Sequence, residues 1–359
     1  MTGLVAFLLL APAAPALAQR SEVLSPAYEA VVRRYASGDR EGAVAEMSGW
    51  PDSRVRGEVP TLNREWRGSG GDATEHGVWR QIPVRAALML HSDCAQRARR
   101  DGKPPRPHES AAWSIAQTLK DDPAHRTFAR RWYEAMAGLA AGENRWDAAL
   151  DWGERGLRDF PDSVDMLLVL GAIAETFGAQ ATPGVPEEAL LDASARDMRS
   201  RLRERLEKAR GALRSAVAAD PSRAEARLRL GRVAWRLGDA GEARSALEDV
   251  LARSPEAATA FLAHLFLGRL DEDAGRLDEA ARSYEAALAI DPRCQSARLA
   301  LSYVRLRLGD TAAARAEVET ALTAGGHRLK DDAFWLYPWG PSVGVEDRLK
   351  ALRREASSP

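Results

Sequence analysis

Prolines recur along the chain at an almost regular distance, and this spacing constrains the fold more than any other feature. Five of them each follow an Ala-rich amphipathic segment, at Pro123, Pro161, Pro221, Pro255 and Pro292. Consecutive prolines of this set are 38, 60, 34 and 37 residues apart. Proline cannot continue a helix, and a period of about 34 residues is the length of one helix–turn–helix unit. The spacing therefore predicts a stack of helical hairpins whose neighbours bury the apolar stripes that one hairpin cannot bury alone.

A second pattern appears when the later segments are aligned on their prolines. Residues 224–257, 261–294 and 295–326 each place a Leu and a small residue in a first helix, a Gly at the next turn and an Ala in a second helix. These positions are Leu230, Gly231, Gly238 and Ala243, then Leu267, Gly268, Gly275 and Ala280, then Leu301, Ser302, Gly309 and Ala314. Small residues let two helices approach closely, and a Gly at the turn adopts the left-handed backbone that ends a helix.

This set of positions resembles the tetratricopeptide repeat family, because several of them recur together in three adjacent copies. The resemblance implies an all-α fold, a right-handed α-solenoid of stacked helix-turn-helix repeats. Recognisable repeats are expected over residues 130–326, with an insertion at about 178–205 in the second copy. The predicted copies are residues 130–163, 164–223, 224–257, 261–294 and 295–326.

Weaker patterns flank this repeat region. We expect degenerate helical hairpins over residues 19–129, interrupted by an irregular loop at 51–77 that is rich in Arg and Gly. Residues 327–359 hold the densest aromatic cluster of the chain, which consists of Phe334, Trp335, Tyr337 and Trp339. Because a solenoid must cover its last apolar face, we expect these rings to form a C-terminal aromatic cap there. The alternative is an exposed patch that binds a partner.

Residues 1–18 have the composition of a secretory signal peptide. They carry no charged side chain, an apolar run spans residues 4–10, and Ala16, Leu17 and Ala18 form a small-x-small cleavage pattern. The basic start that such peptides usually have is missing, which suggests a true start codon upstream. We therefore expect a periplasmic or secreted protein that is cleaved near Ala18, with an uncleaved N-terminal anchor as the alternative.

The charge balance limits the classes of partner. The chain has 51 basic and 52 acidic side chains, a formal net charge of −1 at pH 7. A general nucleic-acid binder needs a basic surface, so nucleic acid is not an expected partner. Beyond residue 18, no segment reaches the roughly 20 apolar residues of a membrane helix, so no span is expected in the mature chain. Only five of the 51 basic residues are lysines, which is typical of a GC-rich bacterial genome.

Residues that could carry metal or redox chemistry are few and scattered. Cys94 and Cys294 are 200 positions apart, and we interpret them as separate buried thiols. His91 shares a helix face with Cys94, but two ligands do not make a metal site. The sequence contains no phosphate loop, dinucleotide fingerprint or nucleophile elbow, so neither a cofactor nor a metal is expected.

The pair Glu109-Ser110 leaves one enzymatic alternative open. Lytic transglycosylases carry a Glu-Ser pair on a helical superhelix, so the alternative function is that of a cell-wall-acting hydrolase or lytic enzyme on a helical scaffold. The Gly-Leu-Met-Gln segment that this family has downstream is absent here, and an acid at a helix start is commonly a cap. We therefore expect a protein that is not an enzyme.

The expected function is that of a protein-binding or peptide-binding scaffold in the cell envelope, because the resemblance implies a concave groove lined by first helices. The groove positions that carry over are Leu228, Arg232, Trp235, Arg236, Leu265, Arg269, Tyr303 and Arg307. Arginines beside aromatic rings could hold an extended acidic peptide, and the alternative is an ordinary solvated face in an Arg-rich chain. The Lys and Asn clamp by which co-chaperone members bind a C-terminal carboxylate is missing at these positions.

Overall fold

The computed structural model of the chain describes residues 25–58, 82–180, 193–253, 256–323, 332–340 and 342–357. Within these ranges the regular secondary structure is entirely helical. The predicted signal peptide at 1–18 lies outside the described residues. Two compact units make up the chain, one formed by Met1–Asp122 with Glu355–Pro359 and the other by Pro123–Arg354.

The first unit begins with α1 (Pro26–Ala36) and α2 (Arg40–Met47), and after a gap in the described residues it continues with α4 (Val84–Arg100) and α5 (Arg106–Leu119). A short helix α3 over residues 52–58 follows α2, so the first part of the irregular loop expected at 51–77 is helical. The helix α3 has a physical cause, because Pro51 directly precedes its first turn and the side chain of Val55 is buried. Residues 59–81 lie outside the described residues.

The second unit holds five consecutive helical hairpins and therefore forms the all-α repeat solenoid that the sequence predicts. They are α6 (Arg126–Gly142) with α7 (Trp146–Asp159), α8 (Val164–Gln180) with α9 (Ala193–Ala219), α10 (Ala224–Arg236) with α11 (Ala240–Ala252), α12 (Ala257–Asp273) with α13 (Leu277–Ile290), and α14 (Gln295–Arg307) with α15 (Thr311–Thr323). Gly238 and Gly275 end two of the first helices with φ of 85° and 75°, the left-handed backbone predicted for those turns.

Close helix packing inside a hairpin depends on glycine. A Cβ atom at Gly231 in α10 would stand 2.7 Å from Cγ of Leu247 in α11. Gly268 in α12 meets the ring of Tyr284 in α13 in the same way, and a Cβ atom there would overlap the ring. The aligned Leu-Gly pair of the sequence is therefore the place where the bulky residue of the second helix packs against bare backbone.

The C-terminal aromatic segment follows a different path from the one predicted. It contains α16 (Ala333–Leu336), a 3-10 turn (Tyr337–Trp339) and α17 (Val345–Ala356). The segment packs on the solenoid mainly against α12 and α8, and Asp332 is bonded to Ser296 at the start of α14. The reason is chemical, since a buried Tyr needs a partner for its hydroxyl, and α8 supplies one for Tyr337.

The helices of the described ranges can also be compared with the requirements of a bilayer. None of them combines the length and apolar character that crossing a membrane requires.

Replacing Gly231 with Ala should destabilise the second unit by roughly 1–3 kcal/mol, because the new methyl group overpacks against Leu247. Gly211→Ala in α9 is the matched control, since a Cβ atom at Gly211 meets no atom within 4 Å. This control should stabilise the chain by about 0.5–1 kcal/mol, as Ala in a helix interior does. Urea unfolding followed by circular dichroism measures both values, and equal effects of the two substitutions would contradict the packing account.

Candidate binding surface

The first helices of the five hairpins form one continuous surface of the second unit. Each of α6, α8, α10 and α12 contacts the first helix of the next hairpin. We call the surface formed by α6, α8, α10, α12 and α14 the inner surface. The predicted groove residues lie on α10, α12 and α14, which are three helices of this surface.

A buried carboxylate lies at the middle of the inner surface. Glu175 is fully buried on α8, a helix whose other residues after Asp165 carry no charge. Its Oε2 atom accepts a hydrogen bond of 3.0 Å from Nη1 of Arg229, and its Oε1 atom accepts one of 2.9 Å from Nη1 of Arg232. The Tyr337 hydroxyl donates a third hydrogen bond, 2.7 Å long, to Oε1. We call these four residues, Glu175, Arg229, Arg232 and Tyr337, the Glu175 site. It joins α8, α10 and the C-terminal segment.

Tyr337 is held at this site by its ring as well as by its hydroxyl. The guanidinium carbons of Arg229 and Arg232 lie 4.5 Å and 4.8 Å from the ring centroid, within the range of cation–π attraction. The ring of Phe266 in α12 meets it edge-on at 5.3 Å. Thr176 donates a hydrogen bond of 3.1 Å from its hydroxyl to the carbonyl oxygen of Pro338.

Burial and neighbouring charges shift the pKa of Tyr337 and that of Arg229. Burial, followed by the nearby Glu175 carboxylate, raises the pKa of Tyr337 above its ordinary value, so the phenol stays protonated and donates. Burial alone would lower the pKa of Arg229, but the neighbouring Tyr337, Glu175 and Glu225 outweigh it and raise the pKa. The guanidinium therefore stays charged although it is buried.

Next to the Glu175 site the inner surface contains a cavity of about 260 Å³ between α10, α12, α14 and the C-terminal segment. Its walls are mainly apolar and aromatic, with two arginines at the edge. The lining residues are Arg232, Trp235, Leu265, Phe266, Arg269, Tyr284, Ser296, Ala300 and Phe334. We call this cavity the inner pocket, and four of the eight predicted groove residues line it, namely Arg232, Trp235, Leu265 and Arg269.

The arginines at the pocket form ion pairs with acids of the same chain. The sequence suggested instead a basic strip that is available to a partner. Arg232 pairs with Glu175, as described above. Arg269 donates a hydrogen bond of 2.9 Å from Nη1 to Oε1 of Glu272 and lies 3.5 Å from Asp273. The indole Nε1 of Trp235 donates to the Asp273 carboxylate at 2.8 Å. The arginine charges are therefore largely balanced where the pocket opens.

The other predicted groove residues differ in accessibility. Leu228 is buried in the core of the second unit and cannot contact a partner. Arg236 is half-buried, and burial followed by the charge of Arg232 lowers its pKa. Tyr303 in α14 is 50% exposed, and the guanidinium of Arg307 lies 5.8 Å from its ring centroid. Leu299 and Leu306 on the same helix are also exposed. The last hairpin therefore continues the surface beyond the pocket.

Sequence reasoning missed Glu175 and the position of Tyr337. A signal for Glu175 was present, because a single acid inside an otherwise apolar helix needs a buried partner. The position of Tyr337 had no local signal, since it lies 162 residues from Glu175 along the chain.

The remaining candidate residues of the sequence are buried or hydrogen-bonded within the chain. In the first unit, the buried His91 lies 3.1 Å (Nδ1 to Nδ1) from His108, and 3.2 Å separates its Nε2 from the Tyr28 hydroxyl. Glu109 accepts a hydrogen bond of 2.5 Å from Nη1 of Arg99. Both thiols are buried and unbridged, as predicted, and burial raises the pKa of Cys94 and that of Cys294 to about 12. A thiol with such a pKa is unreactive at neutral pH.

The fold and the inner surface define a helical-repeat protein built from stacked hairpins. The family model described as tetratricopeptide repeat matches residues 203–263 and 266–328. These two stretches of the chain therefore have the sequence pattern of tetratricopeptide repeats, as their aligned Leu, Gly and Ala positions indicated. No curated protein matches the chain.

Three solved structures are similar to part of the chain at low identity. The crystal structure of MamA protein is 20% identical over 54% of this chain and 91% of that chain, with a TM-score of 0.42. MamA 41-end from Desulfovibrio magneticus RS-1 is 16% identical over 54% and 94%, with a TM-score of 0.42. YrrB, described as a TPR protein with an unusual peptide-binding site, is 16% identical over 55% and 87%, with a TM-score of 0.37.

Replacing Glu175 with Gln should lower the free energy of unfolding by about 3–5 kcal/mol, because it leaves the buried Arg229 and Arg232 without their carboxylate. Glu225→Gln is the matched control, because Glu225 accepts from Nε of the same Arg229 but its side chain is 49% exposed. The control should cost less than about 1 kcal/mol. Chemical unfolding measures both values, and a loss at Glu175 no larger than the loss at Glu225 would contradict this assignment.

Proposed function

We propose that the protein is a non-enzymatic scaffold that binds an extended segment of another protein on its inner surface. The observation that carries the proposal is the inner pocket. It opens beside an exposed apolar strip on α14, which consists of Leu299, Tyr303 and Leu306. The tetratricopeptide repeat pattern of residues 203–263 and 266–328 supports the same function, because stacked repeats present extended surfaces of this kind.

The size and lining of the pocket fit an inserted side chain. Its volume of about 260 Å³ is smaller than the roughly 300–1,000 Å³ of typical small-molecule sites. The rings of Trp235, Phe266 and Tyr284 provide large contact area around it, and interface hot spots are enriched in such residues. A Leu or aromatic side chain of the partner would fill the pocket and exclude water from it.

The strip on α14 provides contacts for the flanking residues of the same segment. Leu299, Tyr303 and Leu306 are spaced i, i+4 and i+7, so they share one face of the helix. Their exposed fractions are 44%, 50% and 54%. Ser296 and Ala300 of the same helix line the pocket, so the strip and the pocket adjoin. Together they suit a chain segment longer than one residue.

The charges around the pocket set the chemistry of the partner. Glu272 and Asp273 already balance Arg269, so an acidic partner gains less from this arginine than the sequence suggested. Arg307 stands beside the exposed ring of Tyr303 and can bind a carboxylate of the partner. The proposed partner segment is therefore anchored by apolar side chains, with acidic residues favoured near α14.

We further propose that the protein acts in the periplasm or outside the cell, because residues 1–18 have the pattern of a signal peptide. Export removes this segment, so the mass of the chain purified from the native cell envelope should correspond to a start near Gln19. A chain that retains residues 1–18 and stays in the cytoplasm would contradict this location.

Selection of random 12-residue peptides displayed on phage against the full chain tests the binding function. Enriched peptides should share an apolar or aromatic anchor, and Trp235→Ala combined with Tyr303→Ala should weaken their binding at least tenfold. The control is Leu322→Ala on the second helix α15, a residue that is 73% exposed but lies off the inner surface. Absence of any enriched peptide, or equal losses in the control, would reject the proposed surface.

A further inference from the structure

Residues 332–340 cross the inner surface in the way that a bound peptide would. At one end, the Asp332 carboxylate accepts hydrogen bonds of 3.0 Å and 3.1 Å from the backbone and hydroxyl of Ser296 at the start of α14. Phe334 then forms a wall of the inner pocket, and Tyr337 fills the Glu175 site. This segment, which we call the crossing segment, comes after the repeats and is not part of any hairpin.

The repeats supply the carboxylate and both guanidinium groups of the Glu175 site without the crossing segment. Glu175 accepts hydrogen bonds from both Arg229 and Arg232, and Glu225 also accepts one from Arg229. These groups belong to α8 and α10, so the repeats themselves hold the carboxylate and the two guanidinium groups in place. A preformed site loses little conformational freedom when a ligand enters it. Any tyrosine that reaches the site finds an acceptor for its hydroxyl and two cations for its ring.

The crossing segment is attached through few side chains. Trp335 and Leu336, which lie between its two anchoring rings, are 47% and 42% exposed. Its helix α16 has four residues, too short to be stable alone. Because the segment is not part of any hairpin, its opening breaks the contacts of Asp332, Phe334 and Tyr337 but leaves the packing between the hairpins in place. The segment can therefore leave the inner surface while the hairpins stay folded.

We propose that the crossing segment is an internal ligand of the inner surface, and that the partner segment displaces it by placing a tyrosine of its own at Glu175. The inference rests on the proposed function and names the chemistry of its partner and the regulation of its site. While the crossing segment is bound, the apparent affinity for the partner is reduced by the fraction of molecules that are open.

A reversible covalent lock tests this inference in the full chain. Gly142, at the end of α6, and Ser342, just after the crossing segment, approach so closely that a Cβ atom on Gly142 would stand 3.1 Å from Cβ of Ser342. Disulfide-linked Cβ atoms are about 3.8 Å apart, so a small adjustment allows Gly142→Cys and Ser342→Cys to bond. The native Cys94 and Cys294 are buried and do not compete for this bond.

The probe is a fluorescently labelled synthetic peptide with the sequence of residues 332–340. The reduced lock variant should bind it at least tenfold more tightly than the oxidised variant, because only the reduced form releases its own segment. The wild-type chain should bind equally with and without reductant. A probe with Phe in place of its tyrosine should bind more weakly, because it cannot donate to Glu175. Equal affinities of the oxidised and reduced lock would overturn the inference.

A second variant does not depend on the disulfide. Tyr337→Phe removes only the hydroxyl that donates to Glu175, so it should release the crossing segment more often and tighten binding of the probe about threefold or more. Leu336→Ala is the matched control, because Leu336 is exposed in the same segment, and it should leave the affinity unchanged. Unchanged affinity in Tyr337→Phe would also overturn the inference.

The results separate this inference from the proposed function. Phage-selected peptides that bind in a Trp235-dependent manner, equally to the oxidised and reduced lock, would leave the binding function intact and reject the internal ligand. If neither the selected peptides nor the probe binds any form of the chain, both the binding function and the internal ligand are rejected.

Discussion

The buried Glu175 carboxylate is the interaction on which the rest of the inner surface depends. A charge removed from water must be paired and hydrogen-bonded, and Glu175 obtains Arg229 and Arg232 from α10. The same carboxylate accepts the Tyr337 hydroxyl, so one buried acid links two hairpins and the C-terminal segment. This pairing fixes where the aromatic segment crosses, and the crossing in turn forms one wall of the inner pocket.

The hairpin stack could be predicted from sequence because its determinants are local and repeated. Gly231 faces Leu247 and Gly268 faces Tyr284, so each aligned pair marks one close contact inside one hairpin. The path of the C-terminal segment could not be predicted in this way, since it depends on contacts between residues 162 positions apart. The need to cover apolar rings was a sound argument, but it does not specify which surface covers them.

Helical periodicity assigned side chains to the inner surface, but it could not assign their charge partners. Arg232, Trp235, Leu265 and Arg269, four of the predicted groove residues, line one cavity. The acids that balance the arginines come from a neighbouring hairpin for Arg232 and from the next turn of the same helix for Arg269. Because these arginines are paired, the surface presents less unbalanced positive charge than its number of arginines indicates.

The central claim is that an external segment and the crossing segment compete for the inner surface. Hydrogen exchange of the full chain, measured by mass spectrometry with and without a saturating phage-selected peptide, tests it most directly. The account predicts faster exchange in residues 332–340 and slower exchange in α10 and α12 when the peptide is bound. Unchanged or slower exchange in residues 332–340, with binding detected elsewhere in the chain, would contradict it.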